Sequence, residues 1–114
     1  MSPSSSPAPV YRLDRFIVPA EALPAFNERL RYTQHVLDGM PGCRQNLVLS
    51  RVGTGGEYDV ATLVEWDSAD AVAAAKAAMQ QRYAEEGFDP AEFMRALGIR
   101  ADMASYVPTV FAEP

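Results

Sequence analysis

Three side chains in this chain have the types and spacing to hold and deprotonate a small, flat molecule. Asp14 is a lone carboxylate in Tyr11-Arg12-Leu13-Asp14-Arg15-Phe16-Ile17-Val18, and Thr62 and Trp66 lie four residues apart in Tyr58-Asp59-Val60-Ala61-Thr62-Leu63-Val64-Glu65-Trp66. Side chains alternate between the two faces of a strand, so Tyr58, Val60, Thr62, Val64 and Trp66 share a face that is apolar but for one hydroxyl. By the same parity Asp14 goes with Arg12 and Phe16. An indole at the rim of such a face is either ordinary core or the wall of a pocket for a flat ligand. A carboxylate buried nearby gains proton affinity and becomes a general base towards a phenol. Paired instead with Arg12 or Arg44, it stays ionised and is a poor base at neutral pH. Both alternatives stand for Asp14.

Other polar residues fit supporting roles less directly. Tyr83 and Tyr106 could each donate to a ligand oxygen or be amphipathic core residues with the hydroxyl at the surface. Asn46 could offer a pocket amide and Arg44 could meet a ligand carboxylate. Met79, Met94 and Met103 read as core filler.

The inventory also excludes chemistry. The chain has one histidine, His35, and one cysteine, Cys43, so a single copy has neither a His/Cys zinc site nor an intrachain disulfide. Gly53-Thr54-Gly55-Gly56 is followed by neither a lysine nor a helix and reads as a hairpin turn rather than a phosphate cradle. The net charge of −5 and the scattered arginines argue against nucleic acid as a partner. No apolar run approaches the ~20 residues of a membrane span, so no membrane partner is expected. The N-terminus lacks the pattern of a secretion signal, and with the single cysteine this fits the cytoplasm.

The elements that must position these residues follow from periodicity. At 114 residues, 48% of them apolar, the chain has the length of one domain. Residues 1–9 form a Pro/Ser tail expected to be disordered, and 10–112 form the domain. A first strand runs from Val10 to Val18. Leu23, Phe26, Leu30, Thr33 and Leu37 then recur at helical spacing, with His35 on the opposite, exposed side. Gly39 and Pro41-Gly42 end that helix. A second strand covers Cys43 to Val52 and a third covers Tyr58 to Trp66. Ser68 caps a helix whose inner face carries Val72, Ala75, Met79 and Tyr83. Asp89-Pro90 with Glu92 is a capping box, and Phe88 and Phe93 can staple it hydrophobically. This short helix ends at Gly98, and it is either a plug that fills a cleft or a lid above one. Ile99 to Phe111 reads as the last strand, at an edge or bent at Pro108.

The order predicts an α+β fold, with split βαβ packing, a four-stranded antiparallel sheet and helices on one face. The other face, with Tyr11, Leu13, Ile17, Ala61 and Leu63, is too apolar to leave in water, and its marginal charges suit a subunit interface. A homodimer with facing sheets is expected; a monomer with a solvated face is the alternative.

Val64-Glu65-Trp66-Asp67-Ser68, Pro41-Gly42 before the second strand and Asp14-Arg15-Phe16-Ile17-Val18 resemble the antibiotic biosynthesis monooxygenase family, dimeric α/β barrels of ferredoxin-like fold. The resemblance spans roughly Tyr11 to Phe111. It implies a pocket between sheet and helices, with Trp66 lining it as the third-strand tryptophan does in cofactor-free oxygenases. Those enzymes carry an asparagine in strand one and another four residues before the tryptophan. Asp14 and Thr62 stand there instead, and an ionised aspartate cannot donate a hydrogen bond to an oxyanion. Haem-degrading members take an iron ligand from a histidine on the second helix. The corresponding helix here has Lys76 near the pocket edge and no histidine.

Three readings follow. One is a cofactor-independent monooxygenase for a small phenol or quinol, with Asp14 as base, Trp66, Thr62, Asn46, Tyr83, Tyr106 and Phe16 around the substrate, dioxygen as co-substrate and no metal or other cofactor. Another is a non-catalytic dimeric module that binds a small apolar metabolite. The plainest is a filled core with no ligand.

Overall fold

The computed structural model describes residues 8–112, so positions 1–7 of the expected tail lie outside the described residues. The elements are β1 (Val10–Ile17), a single 3₁₀ turn (Ala20–Ala22), α1 (Leu23–Asp38), β2 (Cys43–Ser50), β3 (Val60–Trp66), α2 (Ala69–Glu86), α3 (Pro90–Leu97) and β4 (Arg100–Tyr106). The sheet order is β2-β3-β1-β4, and each neighbouring pair is antiparallel. This is the α+β, ferredoxin-like arrangement, with β2 and β4 at the edges.

Local chemistry sets the boundaries. Ser68 accepts a hydrogen bond from Ala71 N–H and starts α2, and Asp89 does the same for Glu92 N–H at the head of α3. Phe88 and Phe93 form the staple, with ring centroids 5.3 Å apart. The reciprocal arm of the capping box is replaced, because the Glu92 carboxylate takes Arg95 as its partner. Gly42, between α1 and β2, has φ +86°, and a Cβ built on it would lie 2.6 Å from Cβ of Ala71. Only glycine fits both the dihedral and the space.

All four strands are shorter than expected, β1 by one residue at Val18. β2 stops at Ser50 and β3 starts at Val60, because Arg51 organises the intervening loop. Its Nε donates to the Tyr58 carbonyl at 3.0 Å, and its Nη1 donates to the Gly53 carbonyl at 2.7 Å. The glycines are therefore part of a longer loop rather than a tight hairpin turn. β4 ends at Tyr106, shortly before Pro108, which has no N–H to give a ladder. Beyond it, Val110 and Phe111 are largely exposed.

Helices cover one sheet face, and the core beneath them is split in two. One cluster gathers Phe16, Val18, Ala22, Phe26, Val60 and Ile99, and the other gathers Val64, Trp66 and Ala75. Among the described residues, nothing covers the opposite face. There Leu47, Leu63, Leu13 and Ala104 stand in one row across all four strands. Leu47 and Leu49 remain exposed on this face. Among the described residues, no helix is long and apolar enough to cross a membrane.

Candidate functional site

The space between the two core clusters is a cleft of about 380 Å³, enough for a two- or three-ring aromatic. Cross-strand register builds its floor. Val48, Thr62, Asp14 and Met103 are successive partners across the sheet, and all four line the cleft. Asn46, Val64 and Arg12 form the adjacent row and line it too. Thr62 and Asp14 are thus directly opposite one another on neighbouring strands. Directly paired residues lie near enough for their side chains to interact.

Trp66 forms one end wall. It is only 3% exposed and packs with Val64 and Ala75, with Leu37, Met40 and Val72 around them. The sequence left core and pocket wall as alternatives for this indole, and it serves as both. Phe16 stands at the other end, edge-on to Phe26 with centroids 4.9 Å apart. Phe88, Phe93 and Met94 close that side without filling the space, so α3 and the turn before it act as a wall. The filled-core reading is therefore overturned.

Asp14 is charge-paired, with its Oδ1 3.1 Å from Nη2 of Arg12. Its pKa is nevertheless raised, since burial outweighs the lowering by Arg12 and by the Ala104 backbone N–H. Pairing was expected to lower this pKa; burial reverses that direction. Another Arg12 donor, Nε, is buried without a hydrogen-bond partner among the described residues.

The other expected site residues divide. Tyr83 lines the cleft, and burial raises its pKa, which keeps the phenol protonated. Asn46 lines the cleft, but its amide is engaged. Nδ2 donates to the Gln34 carbonyl at 2.9 Å and to Asp38 Oδ1 at 3.0 Å, fastening β2 to α1. Asn46 is therefore not a free donor for an oxyanion. Tyr106 is a correction: it is the register partner of Tyr11, lies on the uncovered face and is 48% exposed. Strand parity carries it away from the cleft. Arg44 is also elsewhere, bound to Asp67 at 2.6 Å and Glu65 at 3.5 Å. His35 is exposed and absent from the lining, so no imidazole faces the cleft to ligate a haem iron.

Sequence reasoning passed over Arg29, Gln34 and Gln80, which also line the cleft. Arg29 follows Phe26 by one helical turn, a spacing that places it on the flank of the apolar stripe. Its guanidinium lies 3.5 Å from the Phe88 ring centroid and pairs with Glu86 at 3.3 Å. Among the described residues, no group of three or more His, Cys, Asp or Glu side chains is arranged to hold a metal.

No family model matches the sequence, and no curated protein does. Solved structures do match in fold. A protein of Shewanella loihica PV-4, provisionally described as a monooxygenase, is 22% identical with TM-score 0.69, covering 92% of this chain and 97% of that one. A variant of MhuD, the haem degrader of Mycobacterium tuberculosis, holds two manganese protoporphyrin IX molecules per active site. It is 20% identical with TM-score 0.65, covering 92% and 99%. A variant of SnoaB, a cofactor-independent oxygenase of Streptomyces nogalater, is 20% identical with TM-score 0.62, covering 91% and 96%. At these identities the likeness is one of fold, and the expected architecture is borne out.

Proposed function

We propose that this chain is a homodimeric, cofactor-independent monooxygenase-like enzyme that oxidises a small phenol or quinol with dioxygen. The observation that carries the reading is Asp14, a carboxylate of raised proton affinity on the floor of a mostly apolar cleft walled by Trp66. The same fold serves the cofactor-independent oxygenase SnoaB.

On this reading the ring lies between Trp66 and Phe16, and Asp14 takes the proton of the phenol. The phenolate is electron-rich at the ring carbons ortho and para to its oxygen, and the reacting carbon is one of these that bears hydrogen. That carbon transfers electron density to dioxygen and bonds to it, and the proton on Asp14 completes a hydroperoxide. Loss of the ring hydrogen as a proton then breaks the O–O bond, releases water and leaves a quinone. One oxygen atom enters the product and the other leaves as water. The protein contributes position, exclusion of water and a proton shuttle. Tyr83 and Thr62 are the hydroxyls available to a substrate oxygen.

The dimer follows from the uncovered sheet face, whose leucine row would otherwise meet water. Light scattering is expected to give twice the 12.5 kDa chain mass. The compartment on this reading is the cytoplasm, which suits a lone thiol such as Cys43.

A second reading, a non-catalytic dimeric module for a small apolar metabolite, is favoured by the engaged amide of Asn46 and the arginine beside Asp14. One experiment separates the two. A panel of naphthols and naphthoquinols is added under air, without flavin, haem or metal, and oxygen uptake is recorded. Uptake above the spontaneous rate supports the enzyme; saturable binding without uptake leaves the module.

A further inference from the structure

The two ends of the cleft are held in different ways. At one end Trp66 is buried, with Val64 and Ala75 packed on it as part of the core. At the other end Phe88 lines the cleft, half-buried, in the turn between α2 and α3. Among the described residues it packs into neither core cluster. Its ring is held from three helices instead. Tyr83 of α2 and Phe93 of α3 lie with ring centroids 5.6 and 5.3 Å away, and the Arg29 guanidinium of α1 sits 3.5 Å from the centroid of Phe88. Arg29 is fixed in turn. It pairs with Glu86 at 3.3 Å and lies 4.7 Å from the Tyr32 ring centroid, and the Tyr32 hydroxyl donates to the same carboxylate.

The hydrophobic staple accounts for an apolar residue at position 88, since Phe88 precedes the Asp89 cap and meets Phe93. It does not account for a cation from another helix laid on the ring. That contact attracts through the ring quadrupole and fixes where the ring stands. At about 380 Å³ the cleft is near the small end of ligand pockets, so a third fused ring is the first that must press on an end wall. The Trp66 end is close-packed core, where added volume is destabilising. The limit therefore falls at the other end. We infer that Phe88 sets the length of ring system the cleft accepts, and that Arg29 is the positioning residue that holds Phe88 in place. This deepens the reading of the cleft as an aromatic site and rests on that reading, though not on oxidation taking place there.

Calorimetric titration of the full-length protein with 2-naphthol and with 2-hydroxyanthracene tests this, because the two share a hydroxyl position and differ by one fused ring. The native protein is expected to bind the two-ring phenol more tightly, although the three-ring one has more apolar surface to bury. Phe88→Leu keeps an apolar staple and shortens the wall. It should raise the affinity for the three-ring phenol about tenfold relative to the two-ring one. Arg29→Met removes the cation but keeps a long apolar stem, and it should move the same ratio in the same direction by about threefold. If Phe88→Leu does not fold, as thermal unfolding will show, Arg29→Met carries the test. A native preference for the three-ring phenol would overturn the inference and leave the aromatic cleft standing. So would folded variants that weaken both phenols alike, the mark of a merely structural role, or that leave the ratio unmoved. If neither phenol binds the native protein, the aromatic reading of the cleft falls as well. Oxygen uptake with the quinol panel is a separate measurement, so failure of turnover and failure of the length limit are told apart.

Discussion

Asp14 on the cleft floor and Asp59 beside the Arg51 loop each have an arginine about 3.1–3.2 Å away, yet their proton affinities move in opposite directions. Asp59 accepts the Val18 backbone N–H at 2.8 Å, and that bond is the main reason its pKa is lowered, with Arg51 second. Asp14 has the arginine and the Ala104 backbone N–H, but burial dominates and its pKa is raised. An ion pair therefore does not by itself reveal whether a carboxylate is inert. What decides is the desolvation the pair must offset. Asp59 is built to remain charged and tie β1 to the start of β3. Asp14 sits where burial favours its protonated form.

The sharpest way to break this comparison is to neutralise each carboxylate. Asp14→Asn should lower oxygen uptake on a productive quinol by about 100-fold or more, the usual contribution of a general base, with ligand affinity retained. Asp59→Asn should leave uptake unchanged and lower the thermal midpoint, since the Val18 N–H loses a charged acceptor. Uptake that survives Asp14→Asn removes it as the base.

A smaller effect is expected from the arginines. Arg12→Gln removes what opposes burial, so the acid limb of the pH–rate profile should move to higher pH. Arg51→Gln should leave Asp59 below the ordinary carboxylate range, because the Val18 hydrogen bond persists. Carboxyl carbon resonances followed through a pH titration report both directions.

The smallest effect lies in stability against pH, where the signs differ. Asp59 binds a proton less readily when folded, so it contributes stability above its unfolded pKa, lost as pH falls through the lower folded value. Asp14 binds one more readily when folded, so its contribution is greatest below the unfolded pKa and fades as pH rises through the raised folded value. Urea midpoints at neutral pH should therefore be higher for Asp14→Asn than for the native protein and lower for Asp59→Asn, with unchanged slopes.

Much of the architecture was legible because alternation and helical spacing are local. Thr62 and Trp66 could be assigned to one face before any contact was known, and Ser68 and Asp89 announced their helices. Tyr106 was misassigned because Arg-Ala-Asp-Met-Ala-Ser-Tyr has no clean alternation. Its parity is set only by pairing with β1, through Tyr11. Asn46 was correctly placed on the cleft face, but its engagement depends on Gln34 and Asp38 in α1, which no strand pattern encodes. Which of the two alternatives for Asp14 prevails, burial or pairing, was beyond the sequence for the same reason. Arg12 is two residues away and visible, whereas the burial that outweighs it comes from the folded chain around it.

Gly42 has one more implication, for how this scaffold can diverge. The turn before β2 and the first turn of α2 touch there with no room for a methyl group, since Ala71 already occupies the place. Any replacement drives α2 outward at the end where Val72 and Ala75 press on the indole. Cleft width is thus tied to a backbone contact outside the cleft lining. A relative that enlarged this turn would be expected to accept bulkier rings without altering a single residue that touches them.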